Sequence, residues 1–233
     1  MEELNKIALI TVMYDYPDWH QPIFLNNAKK YFEEKDIHIL RYNNLREGLS
    51  YYDKFFFYKI EKVRDYIRDN IIGNYEFVLF LDATDTNFYR DPSTMIETFL
   101  TFNKSIVFCA ENFMWPPTPH NHLYETKPVL TEARYLNSGA YFGYSRKILE
   151  YLEKTVENPI SIDDQGSWAI RYLTNDDIEI DQFRKLFFSS LNMKNLVQII
   201  DGNVVLADMN PYIVHDNGPY NEDTIKIVNT LNK

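Results

Sequence analysis

The chain has 233 residues, 45% of them hydrophobic, and sets 24 basic against 34 acidic side chains for a net charge of −10. That size and apolar content suit a substantial core, and the acidic balance excludes a general nucleic-acid binder, which needs a basic stripe. No apolar run approaches a membrane span, the N-terminal Met1-Glu2-Glu3-Leu4 is not leader-like, and the single cysteine, Cys109, allows no internal disulfide. The expectation is a soluble, cytoplasmic chain.

The first apolar run, Lys6–Met13, reads as a strand, followed by a polar, aromatic loop over Tyr14–Pro22. A helix is predicted from Pro22 to about Lys35, with Ile23, Leu25, Ala28 and Phe32 as its apolar positions. Ile37–Tyr42 is a second strand. Phe56, Ile60, Val63, Ile67 and Ile71 then recur at helical spacing until Gly73-Asn74 stops the helix.

Phe77–Leu81 is five apolar residues without a break, the pattern of a strand buried on both faces of a parallel sheet. It runs into Asp82-Ala83-Thr84-Asp85. Carboxylates at the C-terminal end of such a strand lie where open α/β sheets bind ligands. Two so close resist ionising together unless a cation lies between them. A hard divalent ion, Mn²⁺ or Mg²⁺, fits, and it commonly brings substrate phosphates. The competing local reading is a turn capped by Asp82 with a solvated Asp85.

Asp91-Pro92 opens a helix to about Asn103, and Ile106–Ala110 is another buried strand. Glu111 to Tyr135 is a long irregular stretch holding Trp115 and four prolines, and a loop of that length inside a domain is functional or mobile. Asn137–Tyr144 reads as a strand with two glycines, and Arg146–Glu157 and Asp164–Leu173 as helices, Asp163 serving as an N-cap. A further helix is predicted from Asp181. Leu196–Ile200 and Val204–Leu206 are short strands, Tyr212–Val214 leads into His215, and Glu222–Leu231 is a tail helix. A histidine at a strand end is ordinarily a satisfied turn residue, but as third ligand to a carboxylate pair it suits Mn²⁺. The strand–helix alternation followed by mixed elements predicts an α/β fold: a mostly parallel central sheet flanked by helices, with a mixed second half, in one domain over residues 1–233.

Six segments in this order carry a resemblance: LDATD ending at Asp85, AENFMWP at Ala110–Pro116, RYLNSGAYFGY at Arg134–Tyr144, DDQ at Asp163–Gln165, IDQFRKLF at Ile180–Phe187 and IVHDNGP at Ile213–Pro219. Together they resemble the glycosyltransferase domain of the procollagen lysyl hydroxylase/glucosyltransferase family, a Rossmann-like GT-A fold that uses nucleotide sugars. The resemblance runs from about Ile7 to Pro219 and does not extend to the hydroxylase portions of those proteins. It implies that Asp82, Asp85 and His215 hold Mn²⁺ (or Mg²⁺), with Thr84 also in the donor-binding set. It implies Thr11 and Val12 at the uridine and Asn217 and Gly218 on the diphosphate. Lys59 is the donor-facing lysine, or else Lys62 one turn on. Trp115, Asn137, Asp163 and Asp164 surround the transferred sugar and the acceptor. Asp216 stands where the family usually has glycine, putting a negative charge near the diphosphate.

The function implied is metal-dependent transfer of a hexose from a UDP-sugar to a hydroxyl acceptor on a protein or glycan. Asp163 or Asp164 is the base if transfer inverts, and a positioning or charge-stabilising group if it retains configuration. The alternative is a sugar-nucleotide or glycan-binding module without turnover. An aspartate-nucleophile phosphatase is disfavoured, because that chemistry needs the second aspartate two residues on and here it is three.

Overall fold

The structure is a computed structural model, and it describes residues 6–14, 20–42, 51–83, 85–159, 161, 163–191, 194–201, 203–217, 227 and 230–231. In chain order the principal elements are β1 (Ile7–Tyr14), α1 (His20–Ala28), β2 (Ile37–Tyr42), α2 (Tyr51–Tyr66), β3 (Phe77–Leu81), β4 (Thr86–Phe88), α3 (Met95–Leu100) and β5 (Ile106–Glu111). They continue with β6 (Tyr135–Tyr144), α4 (Ser145–Glu157), α5 (Asp164–Thr174), β7 (Ile178–Ile180), β8 (Phe187–Ser189), β9 (Val197–Ile200), β10 (Asn203–Leu206) and β11 (Ile213–His215).

The central sheet has the order β2-β1-β3-β6-β5-β7, and β6 alone runs against the other strands. Alternation along the strands sends side chains to two cores. Ala8, Ile10, Val12, Val78, Phe80 and Phe108 pack on one face with residues of α2, α4 and α5. Leu9, Met13, Leu79, Leu81, Val107 and Phe142 pack on the other, against α1 and α3. All of β3 is buried, as an apolar run with a core on each side must be. Each such fully buried side chain contributes roughly 1.5–3 kcal/mol. No helix among the described residues is long and apolar enough to cross a membrane.

Two predicted helices are corrected. The first stops at Ala28 rather than Lys35: the Asn27 side chain turns to accept the Phe88 N–H (2.8 Å), and the chain then closes in irregular turns. No helix starts at Asp181. Its buried carboxylate instead accepts the N–H groups of Lys185, Leu186 and Phe187, and Arg184 takes a left-handed φ of 55°, so a tight loop wraps one side chain and delivers β8. Of the predicted tail helix only Ile227, Thr230 and Leu231 are described, all helical.

A small sheet, β4-β11-β8, completes the site. β4 begins directly after Asp85, and β11 pairs with it antiparallel so that His215 lies opposite Thr86. That register brings a histidine from the far end of the sequence beside the loop that leaves β3.

Candidate active site

Asp82 leaves β3 with its N–H bonded to the Gly139 carbonyl of β6 (2.8 Å), and its own carbonyl accepts the Thr86 hydroxyl (2.6 Å). Across the loop, the Asp216 N–H donates to the Asp85 carbonyl (2.8 Å). The turn is thus fixed from both sides. One carboxylate oxygen each from Asp82 and Asp85 and a ring nitrogen of His215 lie within 4.8 Å of one another. His215 Nε2 is 3.2 Å from Asp85 Oδ1. Burial alone would keep His215 neutral, but the Asp85 charge outweighs it and holds its pKa well above the ordinary value. The Asp82 carboxyl is raised to about 6 by burial, with Lys59 opposing and Asp85 and Asp164 adding to the shift.

These residues fit a divalent cation on two structural grounds. Among the described residues neither ring nitrogen of the buried His215 makes a well-formed hydrogen bond, an expensive omission unless a ligand such as a metal ion, displacing a proton, takes one of them. Gly139 is what lets His215 and Asp82 come this close: a Cβ there would come within 2.3 Å of His215 Cε1, 2.7 Å of Nε2 and 3.0 Å of Asp82 Oδ2. Two carboxylates and an imidazole form a donor set for Mn²⁺.

A bulge in β6 supplies the next layer. Phe108 pairs with Tyr141, but Cys109 pairs with Asn137, so Ser138, Gly139 and Ala140 oppose no residue of β5; Ala140 packs in the core, and Ser138 and Gly139 lie at the site. The Ser138 hydroxyl donates to Asp164 Oδ2 (2.9 Å), and Asn137 Oδ1 accepts the Gly139 N–H (2.9 Å). Lys59, only 6% exposed, places Nζ 2.9 Å from Asp82 Oδ1 and 2.7 Å from Asp164 Oδ2. It therefore lies beneath the site, pairing one aspartate from each doublet, rather than facing an open donor pocket. Its neighbour Lys62 sits over the Tyr58 ring at 5.3 Å and is not part of the site. Asp163 caps α5 through the Gly166 N–H (2.9 Å); burial and the Asp164 charge raise its carboxyl to about 6.

The sequence reading missed Glu111, the last residue of β5. It is buried, and Gln165 Nε2 (2.8 Å) and Asn217 Nδ2 (2.7 Å) each donate to one of its oxygens. Burial pushes its carboxyl up to about 7. The signal was available: a carboxylate ending an apolar strand, as at Asp82. Ser189 closes the chain of contacts by donating to Asn217 Oδ1 (2.7 Å). Trp115 stands at the lip, 55% exposed beside Phe113 and Met114, with its carbonyl held by Gln165 Nε2 (2.9 Å).

Thr11 and Val12 lie inside β1 with buried side chains; the Thr11 hydroxyl donates to the Leu81 carbonyl (2.7 Å), and Val12 packs in the core. A β-strand that continues to Tyr14 leaves neither side chain for a base. Thr84 and Gly218 lie outside the described residues.

The sequence model of the PLOD GT domain matches residues 11–233. The chain belongs to this glycosyltransferase family. Relatives include an uncharacterized protein, R699, of Acanthamoeba polyphaga mimivirus, 32% identical over 66% of this chain and 32% of that protein. Another is the multifunctional procollagen lysine hydroxylase and glycosyltransferase of Caenorhabditis elegans, 28% identical over 69% of this chain and 24% of that protein. The matched part thus spans about a third or less of these relatives' length. Among solved structures, a glycosyltransferase involved in glycosylation of the major capsid of PBCV-1 superposes with a TM-score of 0.55 at 10% identity, covering 97% of this chain and 98% of that one. The family member therefore has a GT-A-type fold with five sheet strands running one way and β6 against them.

Proposed function

We propose that this family member is a metal-dependent transferase that moves a hexose from a UDP-sugar to a hydroxyl of a protein or glycan acceptor. The observation that carries the reading is the convergence of Asp82, Asp85 and His215, packed against the one position, Gly139, that leaves room for them. A divalent cation held there would stabilise the charge that develops on a departing nucleoside diphosphate. Asn217, presented by the turn after β11 and steadied by Ser189 and Glu111, is the nearby amide for the donor. Lys59 bridges Asp82 and Asp164 under the site. Asp164 is committed to Lys59 and Ser138, which leaves Asp163, with its raised pKa, as the carboxylate suited to take a proton from an acceptor hydroxyl. Trp115 at the lip offers an apolar platform for a sugar ring.

The test is a screen of UDP-glucose, UDP-galactose and other nucleotide sugars with Mn²⁺, reading released nucleoside diphosphate with and without hydroxyl acceptors. Acceptor-stimulated release is expected. Tight binding of a UDP-sugar with no release under any acceptor would turn the reading into that of a binding module.

A further inference from the structure

The residue after His215 is unusual on physical grounds alone. Asp216 is 1% exposed, and its Oδ1 accepts the hydroxyl of Ser190, which is wholly buried, while Oδ2 is also buried and has no hydrogen-bond partner among the described residues. A buried carboxylate with a single donor is costly, and a position that only filled space would not need one. Its location gives the reason. The ladder between β11 and β8 ends at the pair His215–Ser189. Just beyond it, the Ser190 N–H donates to the His215 carbonyl (2.9 Å) and the Asp216 N–H to the Asp85 carbonyl (2.8 Å). The Ser190–Asp216 side-chain bond then ties the two strand ends together, immediately before Asn217 turns its amide onto Glu111.

We propose that Asp216 is a positioning residue for the cation site. Clasped to Ser190, it holds the end of β11 so that His215 stays against Asp82 and Asp85 and Asn217 stays on Glu111. This rests on the transferase reading only in taking the Asp82–Asp85–His215 group to bind a divalent cation. Ile213 and Val214 anchor the strand itself, since both are fully buried, so loss of the clasp moves the strand's end rather than unfolding it.

The experiment measures Mn²⁺ binding directly, by the paramagnetic resonance signal of unbound Mn²⁺, without nucleotide. Ser190→Ala and Asp216→Ala should each raise the dissociation constant about tenfold, the range seen when partners behind metal ligands are removed. The double variant should be no worse than either single one, because both break the same bond. Asp216→Asn, which still accepts from Ser190, should recover most of the affinity. His215→Ala is the reference. If His215→Ala weakens Mn²⁺ binding and Ser190→Ala and Asp216→Ala do not, the positioning role is overturned while the cation site stands. If His215→Ala also leaves binding unchanged, the cation reading falls and takes this proposal with it. A variant that loses thermal stability but keeps wild-type Mn²⁺ affinity shows a purely structural clasp. Should Asp216→Ala fail to fold, Ser190→Ala decides alone, since it removes the same bond and no charge.

Discussion

Asp82–Asp85 and Asp163–Asp164 are both pairs of aspartates on the site, and the protein compensates them differently. The second pair is satisfied from within: Asp163 by the Gly166 N–H, Asp164 by Lys59 and Ser138. In the first pair, Asp82 shares Lys59 and Asp85 lies 3.2 Å from His215, whose ring nitrogens make no well-formed hydrogen bond among the described residues and whose ring packs against Gly139. Similar carboxylates thus meet different needs. One pair is part of the protein's internal polar network; the other converges with His215 on a donor set of the kind that holds a metal ion.

Lys59 is where the two pairs meet, so removing it gives the largest expected effect. Lys59→Met leaves two acidic groups without their shared cation and should destabilise the fold by about 3 kcal/mol, the cost of breaking one side of a buried ion pair. Millimolar Mn²⁺ should return part of that stability by supplying Asp82 with another partner, and nothing for Asp164. Equal thermal midpoints with and without Mn²⁺ would erase the distinction between the pairs. Next in size, His215→Ala should lower turnover by more than the roughly 10–100-fold that loss of an outer partner costs, with partial recovery in excess Mn²⁺. An unchanged Mn²⁺ requirement would remove His215 from the site. Gly139→Ala sharpens the same point at smaller scale. Its methyl group collides with His215 and Asp82 rather than with the core, so Mn²⁺ affinity should fall about tenfold while the thermal midpoint moves little. A large loss of stability with intact Mn²⁺ affinity would make the glycine a packing device.

The placing of Asp82 and Asp85 at the end of a buried strand was legible in the sequence because local pattern carries it: five apolar residues, then two carboxylates. The sheet and most helices were legible for the same reason, since periodicity reports burial. What failed was decided by side chains reaching far along the chain. The early end of α1 follows Asn27 reaching Phe88, and the lost helix after Ile180 follows Asp181 gathering three N–H groups. Glu111 was passed over because its role depends on Gln165 and Asn217, 54 and 106 residues away. The bulge that presents Ser138 and Gly139 is a register shift and leaves no mark in composition.

The smallest expected change in stability separates the two members of the second pair. Asp163 has two readings, helix cap and proton acceptor, and asparagine distinguishes them because it caps about as well as aspartate but cannot take a proton. Asp163→Asn should keep the thermal midpoint within about 0.5 kcal/mol of wild type, whereas Asp163→Ala should cost about 1 kcal/mol through the lost cap. Turnover is the deciding measurement. With the Asp163 carboxyl raised to about 6, the ionised form that accepts a proton gains ground as pH rises, so the wild-type rate should climb through that region. Stability runs the other way: a carboxyl whose folded pKa lies above its unfolded value contributes most in acid and loses that contribution as pH passes through about 6. Asp163→Asn should abolish both slopes and lower turnover by roughly 10²–10⁴-fold if the residue is the base. Wild-type turnover and an unchanged pH profile in Asp163→Asn would leave Asp163 a cap alone. The second pair would then be wholly structural, and the acceptor's proton would need another carboxylate, of which Glu111, with its pKa raised to about 7, is the one the geometry offers.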